Sequence, residues 1–506
     1  MSTSNTQTAP DMKVFWCVFI ALITTSFGFI IRAFSIGDWG TEFGLTATQQ
    51  GEILGVGVWP FAISIVVFSL IIDRIGYKTA LGFAFVCHVL SVVLTITAKD
   101  YWTLYWATFI AALGAGTVEA VGNPVVASMF NKDKVKWLNI FHAGWPGGLA
   151  LAGIIMIAMS SATWQTRMLL MPLPTLIYGV LMISVKFPVN ERVAAGVPYK
   201  DMLKEVGALG IFIVSWLIFS EVGRVFAFSQ GLIWGLIAAS TLIYFAYVRS
   251  LGRPMFIFLL LIMMPLAITE LGTDGWVTEL MGPEMHKIGL HAGWVIVYTS
   301  VIMVILRFLA GPIVKVATPL GLLTICSALA AVGLYWLSFA QAGIVILAAA
   351  TLYGIAKSFF WPTMLGVTAE RFPRGGALTL NIMGGLGMLS AGVVGSVILG
   401  LSQDKAIDRN VQMYDNQNGT AIHDTYVTVN KVSVLGSYRA VDASKLAMAP
   451  VEDQAAVQQA VVTSKKSALT TVAILPIIMF VCYLILLLYF KAKGGYRPVD
   501  LSHSSH

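Results

Sequence analysis

The stretch AGTVEAVGNPVV, residues 115–126, places an ionisable side chain, Glu119, at the centre of a long apolar segment. Asn123 and Pro124 follow one helical turn later. A carboxylate at bilayer depth is costly and is usually kept for function. The stretch therefore indicates a membrane helix that carries a functional group at its middle.

The whole chain has the composition of a membrane protein, because 57% of its 506 residues are hydrophobic and only 11% are charged. Apolar runs of about 20 residues, the length that spans a bilayer, recur along it. They predict an all-α polytopic protein with about 14 transmembrane helices. The predicted spans are 13–36, 51–72, 78–98, 102–129, 138–160, 167–187, 206–228, 229–249, 255–276, 291–314, 319–340, 343–366, 376–401 and 468–491.

The distribution of Lys and Arg predicts the orientation of these spans. Basic residues concentrate in alternate connections, at 74–78, 132–136, 186–204, 249–253, 315, 371–374 and 491–497. Such an excess marks the cytoplasmic side. The prediction is a multi-pass protein of the cell membrane with both termini in the cytoplasm. Its net charge of +7 follows from this topology and does not indicate a nucleic-acid partner.

The sequence does not favour an enzyme. Its four cysteines lie inside apolar spans without CxxC or Cys/His spacing, so we interpret them as small buried hydrophobic residues rather than metal ligands. Nucleophile–base motifs, phosphate-binding glycine loops and zinc signatures are absent in convincing form. No metal or cofactor is expected beyond a coupling ion.

Two polar segments suggest the organisation of the chain. The first divides six spans, within 1–187, from eight later ones, and the second precedes the last span. We expect the second segment to be a hydrated extracytoplasmic loop, and its part 442–467 is either loop or a soluble extension of the last helix. The predicted units are 1–187, a linker 188–205, two additional helices 206–249, five helices of a second bundle 250–400, the loop 401–467, and the last helix with its tail 468–506.

The connection between the second and third spans reads SLIIDRIGYK, residues 69–78. It resembles the loop motif of the major facilitator superfamily. The resemblance implies that Asp73, Arg74, Gly76 and Lys78 form a gating loop that holds cytoplasmic helix ends together in one state. It also implies two pseudo-symmetric six-helix bundles, with 206–249 as inserted helices. The alternative is that Asp73 and Arg74 only cap a solvated turn.

A closer resemblance covers residues 114–148, GAGTVEAVGNPVVASMFNKDKVKWLNIFHAGWPGG. This stretch is similar to the fourth and fifth helices of the fucose–proton symporter family, and Arg307-Phe308 with Gly311, and 359–363 (FFWPT), resemble later signatures of that family. The resemblance implies proton handling by Glu119. Ser35 stands where the family has a first-helix carboxylate, and Trp145 where it has an amide. Arg32 has no simple equivalent there and is a possible partner for Glu119.

Two further carboxylates are candidates for proton coupling. Glu270 and Asp274 are four residues apart, so on an α-helix they share one face. Carboxylates at that separation repel each other, which allows one to hold a proton at neutral pH. Our hypothesis is that Glu119, helped by Glu270 or Asp274, binds and releases the coupling proton. The alternative is that Glu270 and Asp274 lie in water at the helix end.

The candidate substrate-binding residues are polar and aromatic. Tyr353, Lys357 and Trp361 recur every four residues, which predicts one helical stripe with a cation between two aromatic rings. Aromatic faces suit sugar rings, and a cation suits a carboxylate or sulfonate. Alternatively, Lys357 forms a buried ion pair with Glu270 or Asp274. The remaining candidates are Arg32, Asn123, Asn139, His142, Trp145 and Asn381.

These features predict proton-coupled symport of a sugar or sugar derivative by alternating access around a midplane site. The alternative within transport is an organic anion, either a sugar acid or a small carboxylate, favoured by Arg32 and Lys357. A third possibility is a non-transporting sensor that uses the 401–467 segment to contact a partner. The expected partners are a small-molecule substrate and the lipid bilayer, and the expected state is a monomer.

Overall fold

The structure is a computed structural model that describes residues 10–45, 47–273, 285–291, 293–340, 343–433 and 436–501. Within these residues, 13 helices are long and apolar enough to cross a membrane. A pair bent by 64°, Trp294–Phe308 with Ala310–Ala317, makes a fourteenth if it is one broken span. The prediction of an all-α polytopic membrane protein is confirmed.

The N-terminal half contains six candidate spans built from nine helices. These are α1 Met12–Glu42, α2 Ala47–Gly55, α3 Trp59–Ile75, α4 Tyr77–Ile96, α5 Tyr101–Met129, α6 Lys134–His142, α7 Gly144–Ala158, α8 Trp164–Met168 and α9 Pro172–Ser184. Asp100 begins α5, because its carboxylate accepts a hydrogen bond from the Thr103 N–H at 2.8 Å. Gly76 separates α3 from α4 at φ 80°, a left-handed conformation that glycine adopts without steric cost.

The predicted linker and insertion contain three helices, α10 Glu191–Ala194, α11 Tyr199–Val225 and α12 Gln230–Val248. Helix α11 begins earlier than the predicted boundary at 206, but Gly207 interrupts it with φ 63° and ψ −175°. Gly252 lies against this kink, where a side chain on either glycine would collide with the opposing backbone. Helix α11 packs on α12 and also contacts α3.

The C-terminal half is more broken than the N-terminal half. Its helices are α13 Pro254–Ala267, α14 Trp294–Phe308, α15 Ala310–Ala317, α16 Pro319–Phe339, α17 Gly343–Lys357, α18 Phe360–Arg371 and α19 Gly376–Leu389. Two π-helical turns, Ile268–Gly272 and Ser390–Gly395, follow α13 and α19. Such turns are often found at functional sites.

Much of the segment predicted as the loop 401–467 is regular structure. It contains the end of α20 Ser396–Asn418, then α21 Ile422–Tyr426, β1 Val429–Ser433, β2 Gly436–Ala440, α22 Ala443–Ala447 and α23 Val451–Val472, which leads into α24 Ile474–Ala492. Helices α20 and α23 pack together, and the two strands are antiparallel. A separate hydrophobic cluster that includes Val411, Ile422 and Val457 holds this layer together. The helical alternative for 442–467 is therefore correct from Val451 onward.

The two halves meet along several helix pairs. Helix α3 contacts α19, α6 contacts α18, and α7 contacts α14. One side of the helix array carries the 188–205 linker and the ends of α3, α5 and α9, and we call it the linker side. The opposite side, where α1 ends and α5 begins, is the far side.

Candidate functional site

A cavity of about 510 Å³ lies between the two halves. Its volume is within the range of small-molecule sites. Its wall reaches from the middle of the helices toward the far side, where Leu54 and Gly57 line it. Both halves contribute polar and aromatic side chains, among them Phe29, Arg32, His88, Glu119, His142, Trp145, Glu270, Arg307, Tyr353, Lys357 and Trp361.

Glu119 lies on α5 at the cavity wall and is only 6% exposed. Its Oε2 accepts a hydrogen bond from Asn123 Nδ2 at 3.1 Å. Asn123 Oδ1 in turn lies 2.9 Å from His142 Nε2. These three predicted residues therefore form one hydrogen-bonded chain from α5 to the end of α6.

The second carboxylate, Glu270, has a different environment. Its Oε1 accepts from Arg307 Nη2 at 2.9 Å, and its Oε2 accepts from the Trp361 N–H at 2.9 Å. That N–H belongs to the first turn of α18, where main-chain donors have no partner within the helix. Glu270 is therefore a charge-compensated group that also caps α18.

Prolines explain where Arg307 binds. Its Nη1 donates to the His142 carbonyl at 2.8 Å, and its Nε donates to the Ser358 carbonyl at 2.7 Å. Each carbonyl lies four residues before a proline, Pro146 or Pro362, so neither receives the usual helical hydrogen bond. Arg307 supplies both missing donors and thereby connects α14 to α6 and to the break between α17 and α18.

Pro124 acts in the same way within α5. It leaves the Ala120 carbonyl without its helical donor, and Asn381 Nδ2 on α19 donates to that oxygen at 3.1 Å. Asn381 was predicted as a substrate contact, but it does not line this cavity. Its role in the structure is to join the two halves.

Asn139, another predicted substrate contact, is hydrogen-bonded within the protein. Its Nδ2 donates to the Val135 carbonyl at 2.9 Å and to Thr363 Oγ1 at 3.2 Å, on the linker side of the cavity. It does not line the cavity and is not available to a substrate there in this conformation. Like Asn381, it joins the halves, since Thr363 belongs to α18.

The predicted stripe of Tyr353, Lys357 and Trp361 is interrupted after Lys357. Helix α17 ends at Lys357 and α18 begins at Phe360, so Trp361 belongs to a second helix. All three still line the cavity. Lys357 Nζ lies 5.8 Å from the centre of the Tyr353 ring, within cation–π range. The Tyr353 hydroxyl interacts with Thr273 and with the Thr269 carbonyl, which fixes the ring.

The shared face of Glu270 and Asp274 stays a prediction, because Asp274 lies outside the described residues. Glu270 itself lies in the π-helical turn Ile268–Gly272. The suggested pairing of Arg32 with Glu119 is wrong. Arg32 Nη1 donates instead to the Gly28 carbonyl at 2.9 Å, and Nη2 to Ser91 Oγ at 3.3 Å.

The most open aromatic surface of the cavity is the pair of Phe29 and Trp145. Their ring centres are 5.7 Å apart, Phe29 is 50% exposed and Trp145 is half-buried. Trp145 was a sequence candidate, whereas Phe29 was not. Tyr353 and Trp361 are more deeply buried.

Contacts between the halves close the linker side. Lys134 at the start of α6 donates to Glu191 at 2.6 Å and to the Ala369 carbonyl at 3.2 Å. Val135 packs directly against Gly366, where any side chain would collide with it. Together with the hydrogen bond between Asn139 and Thr363, these contacts separate the cavity from the linker side.

The predicted gating loop lies at this closed side. Asp73 Oδ2 accepts from Arg192 Nη2, in the linker helix α10, at 2.6 Å. Arg74 lies over the Tyr199 ring at 5.5 Å, and Lys78 Nζ donates to the Ile183 carbonyl at 2.9 Å. The acidic group of the loop therefore contacts the linker rather than its neighbour Arg74.

Arg307, Ser91 and His88 were not among the sequence candidates for this site. The sequence did contain a signal for Arg307. Pro146 and Pro362 each leave a helical carbonyl without its N–H donor, and Arg307 is a cation within an apolar span. For Ser91 and His88 nothing in the local sequence separates a cavity residue from a packing residue.

Comparison with known proteins agrees with this architecture. The profile of the Major Facilitator Superfamily matches residues 15–400. A search of curated proteins finds no match.

Solved transporter structures are similar in fold. The Escherichia coli fucose:proton symporter is 13% identical, with a TM-score of 0.58 over 93% of this chain and 98% of that chain. A proton:xylose symporter bound to 6-bromo-6-deoxy-D-glucose is 14% identical, with a TM-score of 0.56 over 80% and 90%. The human organic anion transporter is 11% identical, with a TM-score of 0.58 over 94% and 100%.

At such identities these likenesses show the fold and not the substrate. Membership in the fucose–proton symporter family stays a prediction. The match over residues 15–400, the paired helical halves and the cavity between them agree on the broader family. The chain belongs to the Major Facilitator Superfamily and is a membrane transporter, not an enzyme.

Proposed function

We propose that this protein is a proton-coupled symporter that carries a sugar or sugar derivative by alternating access, with Glu119 as the proton-binding group. The observation that carries the proposal is the contrast between the two cavity carboxylates. Glu270 has Arg307 as an ionic partner, whereas Glu119 accepts a hydrogen bond only from the neutral amide of Asn123 among the described residues. Burying a carboxylate that has no ion pair costs free energy, and binding a proton removes that cost.

The hydrogen-bonded chain from Glu119 supports a coupling role. Asn123 joins Glu119 to the His142 side chain, and the His142 carbonyl is held by Arg307 from the other half. A change of charge on Glu119 therefore acts on a group at the junction of the halves. In a transporter that rocks its halves, this places the proton site next to the moving interface.

The cavity supports a substrate of sugar size. Its volume of about 510 Å³ suits a small solute, and Phe29 and Trp145 offer apolar rings against which a pyranose face can stack. Closure on the linker side and a wall that reaches the far side correspond to one of two alternating states. With the linker side in the cytoplasm, as the basic residues predict, this is the state that faces outward.

A second candidate is transport of an organic anion. Arg32 favours it, because this buried guanidinium lines the cavity. Location in the cell membrane with cytoplasmic termini, and action as a monomer, are parts of the proposal that rest on the sequence.

The test is transport by purified protein in liposomes across a panel of neutral sugars, polyols, uronates and small organic acids. Wild type should accumulate substrate when a pH gradient is imposed. Glu119→Gln should abolish this accumulation but keep substrate counterflow, since the amide cannot release a proton. Glu452→Gln, a matched change at an exposed site on α23, should behave as wild type. Undiminished proton-driven accumulation by Glu119→Gln would contradict the assignment of Glu119 as the proton-binding group. Any substrate-dependent flux would exclude the alternative of a non-transporting sensor.

A further inference from the structure

Arg32 is a cation in the wall of the cavity, on the far-side half of α1. Its side chain is 5% exposed, and its Nε has no hydrogen-bond partner. Its remaining contacts are with neutral groups, the Gly28 carbonyl and the Ser91 hydroxyl. Within the described part of the chain, no carboxylate forms an ion pair with it.

The neighbouring residues hold the guanidinium in this position. Gly28 lies one turn before Arg32, and a side chain there would approach Arg32 Nη1 to 2.8 Å and the Met171 side chain to 3.0 Å. The glycine therefore provides the space that the guanidinium occupies. Ser91 on α4 fixes the other nitrogen, and its own hydroxyl donates to the His88 carbonyl at 2.9 Å.

His88 adds a second unused polar atom to the same wall. Its Nδ1 is 3.0 Å from the Tyr178 hydroxyl, whereas its buried Nε2 has no partner. His88 and Arg32 both line the cavity. Two buried residues of the cavity wall thus each keep one nitrogen without a hydrogen-bond partner.

Such an arrangement is unfavourable without an anion. A buried charge that lacks an ionic partner costs free energy, and proteins keep such groups within membranes mainly for function. One guanidinium balances one negative charge, and its planar fork matches a carboxylate. A single carboxylate on the substrate fits this requirement.

The aromatic surface indicates what carries the carboxylate. Phe29 and Arg32 are three residues apart on α1, so they share a helix face, and Phe29 packs with Trp145. A sugar ring stacked on these rings has its substituents next to the guanidinium. We propose that Arg32, with Ser91 and His88, forms a carboxylate-binding subsite and that the transported substrate is a sugar acid such as a hexuronate. This deepens the proposed function and rests on it.

The experiment compares matched ligands that differ only in the carboxylate: glucuronate with glucose, and galacturonate with galactose. Equilibrium binding is measured on the purified full-length protein for wild type, Arg32→Gln, Arg32→Lys and Arg224→Gln. Arg224 is the matched control, because its exposed side chain pairs with Glu221 on the inserted helix. Thermal unfolding without ligand is recorded for each protein.

Wild type should bind at least one uronate about tenfold or more tightly than its hexose, as a charge-assisted hydrogen bond predicts. Arg32→Gln should lose that preference and keep hexose affinity within about twofold, while Arg32→Lys keeps part of the preference and Arg224→Gln keeps all of it. Ligand-free Arg32→Gln should unfold at the same temperature as wild type or higher, since it removes an uncompensated buried charge. A clear fall in its unfolding temperature would instead assign Arg32 a structural role and overturn the inference.

The inference would be overturned if wild type bound both ligand classes equally, preferred hexoses or bound neither class. It would also be overturned if the preference for uronates survived in Arg32→Gln. If Arg32→Gln does not fold, Ser91→Ala replaces it and should weaken uronate binding about threefold without changing hexose binding, because one anchor of the guanidinium is lost. Unchanged uronate binding by Ser91→Ala would then count against the subsite. Proton flux separates the two proposals. Uronate binding without proton uptake contradicts only the coupling, whereas proton uptake driven by hexoses alone contradicts only the subsite.

Discussion

Arg307 Nη1 donates to the main-chain carbonyl of His142 at 2.8 Å, and this bond joins the two halves of the transporter at the bottom of its cavity. The bond exists because Pro146 has no N–H to offer that carbonyl. Arg307 at the same time binds Glu270, which accepts the Trp361 N–H. The junction therefore combines an ion pair, a helix cap and a carbonyl that a proline leaves without its helical donor.

Loss of Arg307 should be strongly destabilising. Arg307→Gln removes the cation of the buried ion pair with Glu270, and breaking a buried pair in this way costs about 3–5 kcal/mol. We expect a marked fall in the unfolding temperature and loss of transport. The double variant Arg307→Gln with Glu270→Gln should recover part of the stability but not transport.

The control for that prediction is the pair of Lys204 and Asp201, which are three residues apart on α11 and whose side chains are 46% and 28% exposed. Lys204→Gln should cost about 0–1 kcal/mol, the range for exposed ion pairs. A fall in unfolding temperature of equal size in Lys204→Gln and Arg307→Gln would contradict the role assigned to the buried pair.

Pro146→Ala tests whether the junction depends on the missing helical N–H at residue 146. Alanine restores an N–H four residues after His142, which then competes with Arg307 for the same carbonyl. We expect transport to fall several-fold while stability changes little, because the helix gains the bond that the junction loses. Pro319→Ala, at the first turn of α16, should affect neither, since proline is tolerated there. Wild-type transport by Pro146→Ala would show that the junction does not depend on this carbonyl.

The ion pair between Asp73 and Arg192 should stabilise the closed linker side. Both side chains are nearly buried, so Arg192→Gln leaves an unpaired carboxylate next to the linker helix. A cysteine placed at Thr363, on the linker side of the cavity, should react several-fold faster with a soluble thiol reagent in Arg192→Gln. The measurement requires a background without the four native cysteines. As a control, Lys204→Gln, in the exposed pair with Asp201, should leave the reaction rate unchanged. An unchanged rate in Arg192→Gln would show that the pair of Asp73 and Arg192 has no gating role.

The folded layer formed by the end of α20, the two strands and α23 should lose stability as pH rises. Partial burial lowers the pKa of His423, but hydrogen bonds and the charges of Asp408 and Asp424 outweigh burial, so its pKa is raised above the usual 6.5. A raised folded-state pKa gives stabilisation that is fully present below about pH 6.5 and lost as pH rises through the folded-state pKa.

Hydrogen exchange of the main chain around α21, corrected for intrinsic rates, measures this loss. Protection should fall between about pH 6 and pH 8 in wild type. His423→Gln should have the same lower protection at both pH values. A wild type with constant protection would show that these contacts do not stabilise the layer.

The sequence by itself determined the membrane architecture of this protein. Hydropathy is a local property, so runs of apolar residues define the spans whatever their neighbours are, and the burial of Glu119 follows from its place in such a run. Asn123 and His142 were sequence candidates for substrate contact, which stays a prediction, and their hydrogen-bonded chain with Glu119 came from the structure. The sequence indicated a polar segment before the last span and a helical alternative for 442–467. It did not indicate the layer that this segment forms, since the hydrophobic cluster of the layer joins residues from distant parts of the segment.

Only the tertiary structure decided how the polar groups are paired. Glu270 and Arg307 lie on different helices, and nothing local distinguishes this pairing from one between Glu270 and Lys357. The sequence suggested Asn139 and Asn381 as substrate ligands. In the structure Asn139 donates to Thr363 and Asn381 donates to the Ala120 carbonyl, because helix packing brings these groups together. The break between Lys357 and Phe360 divided a stripe that the four-residue spacing had predicted to be continuous. Contacts between helices depend on rotation, depth and docking of each helix, which hydropathy and spacing leave open.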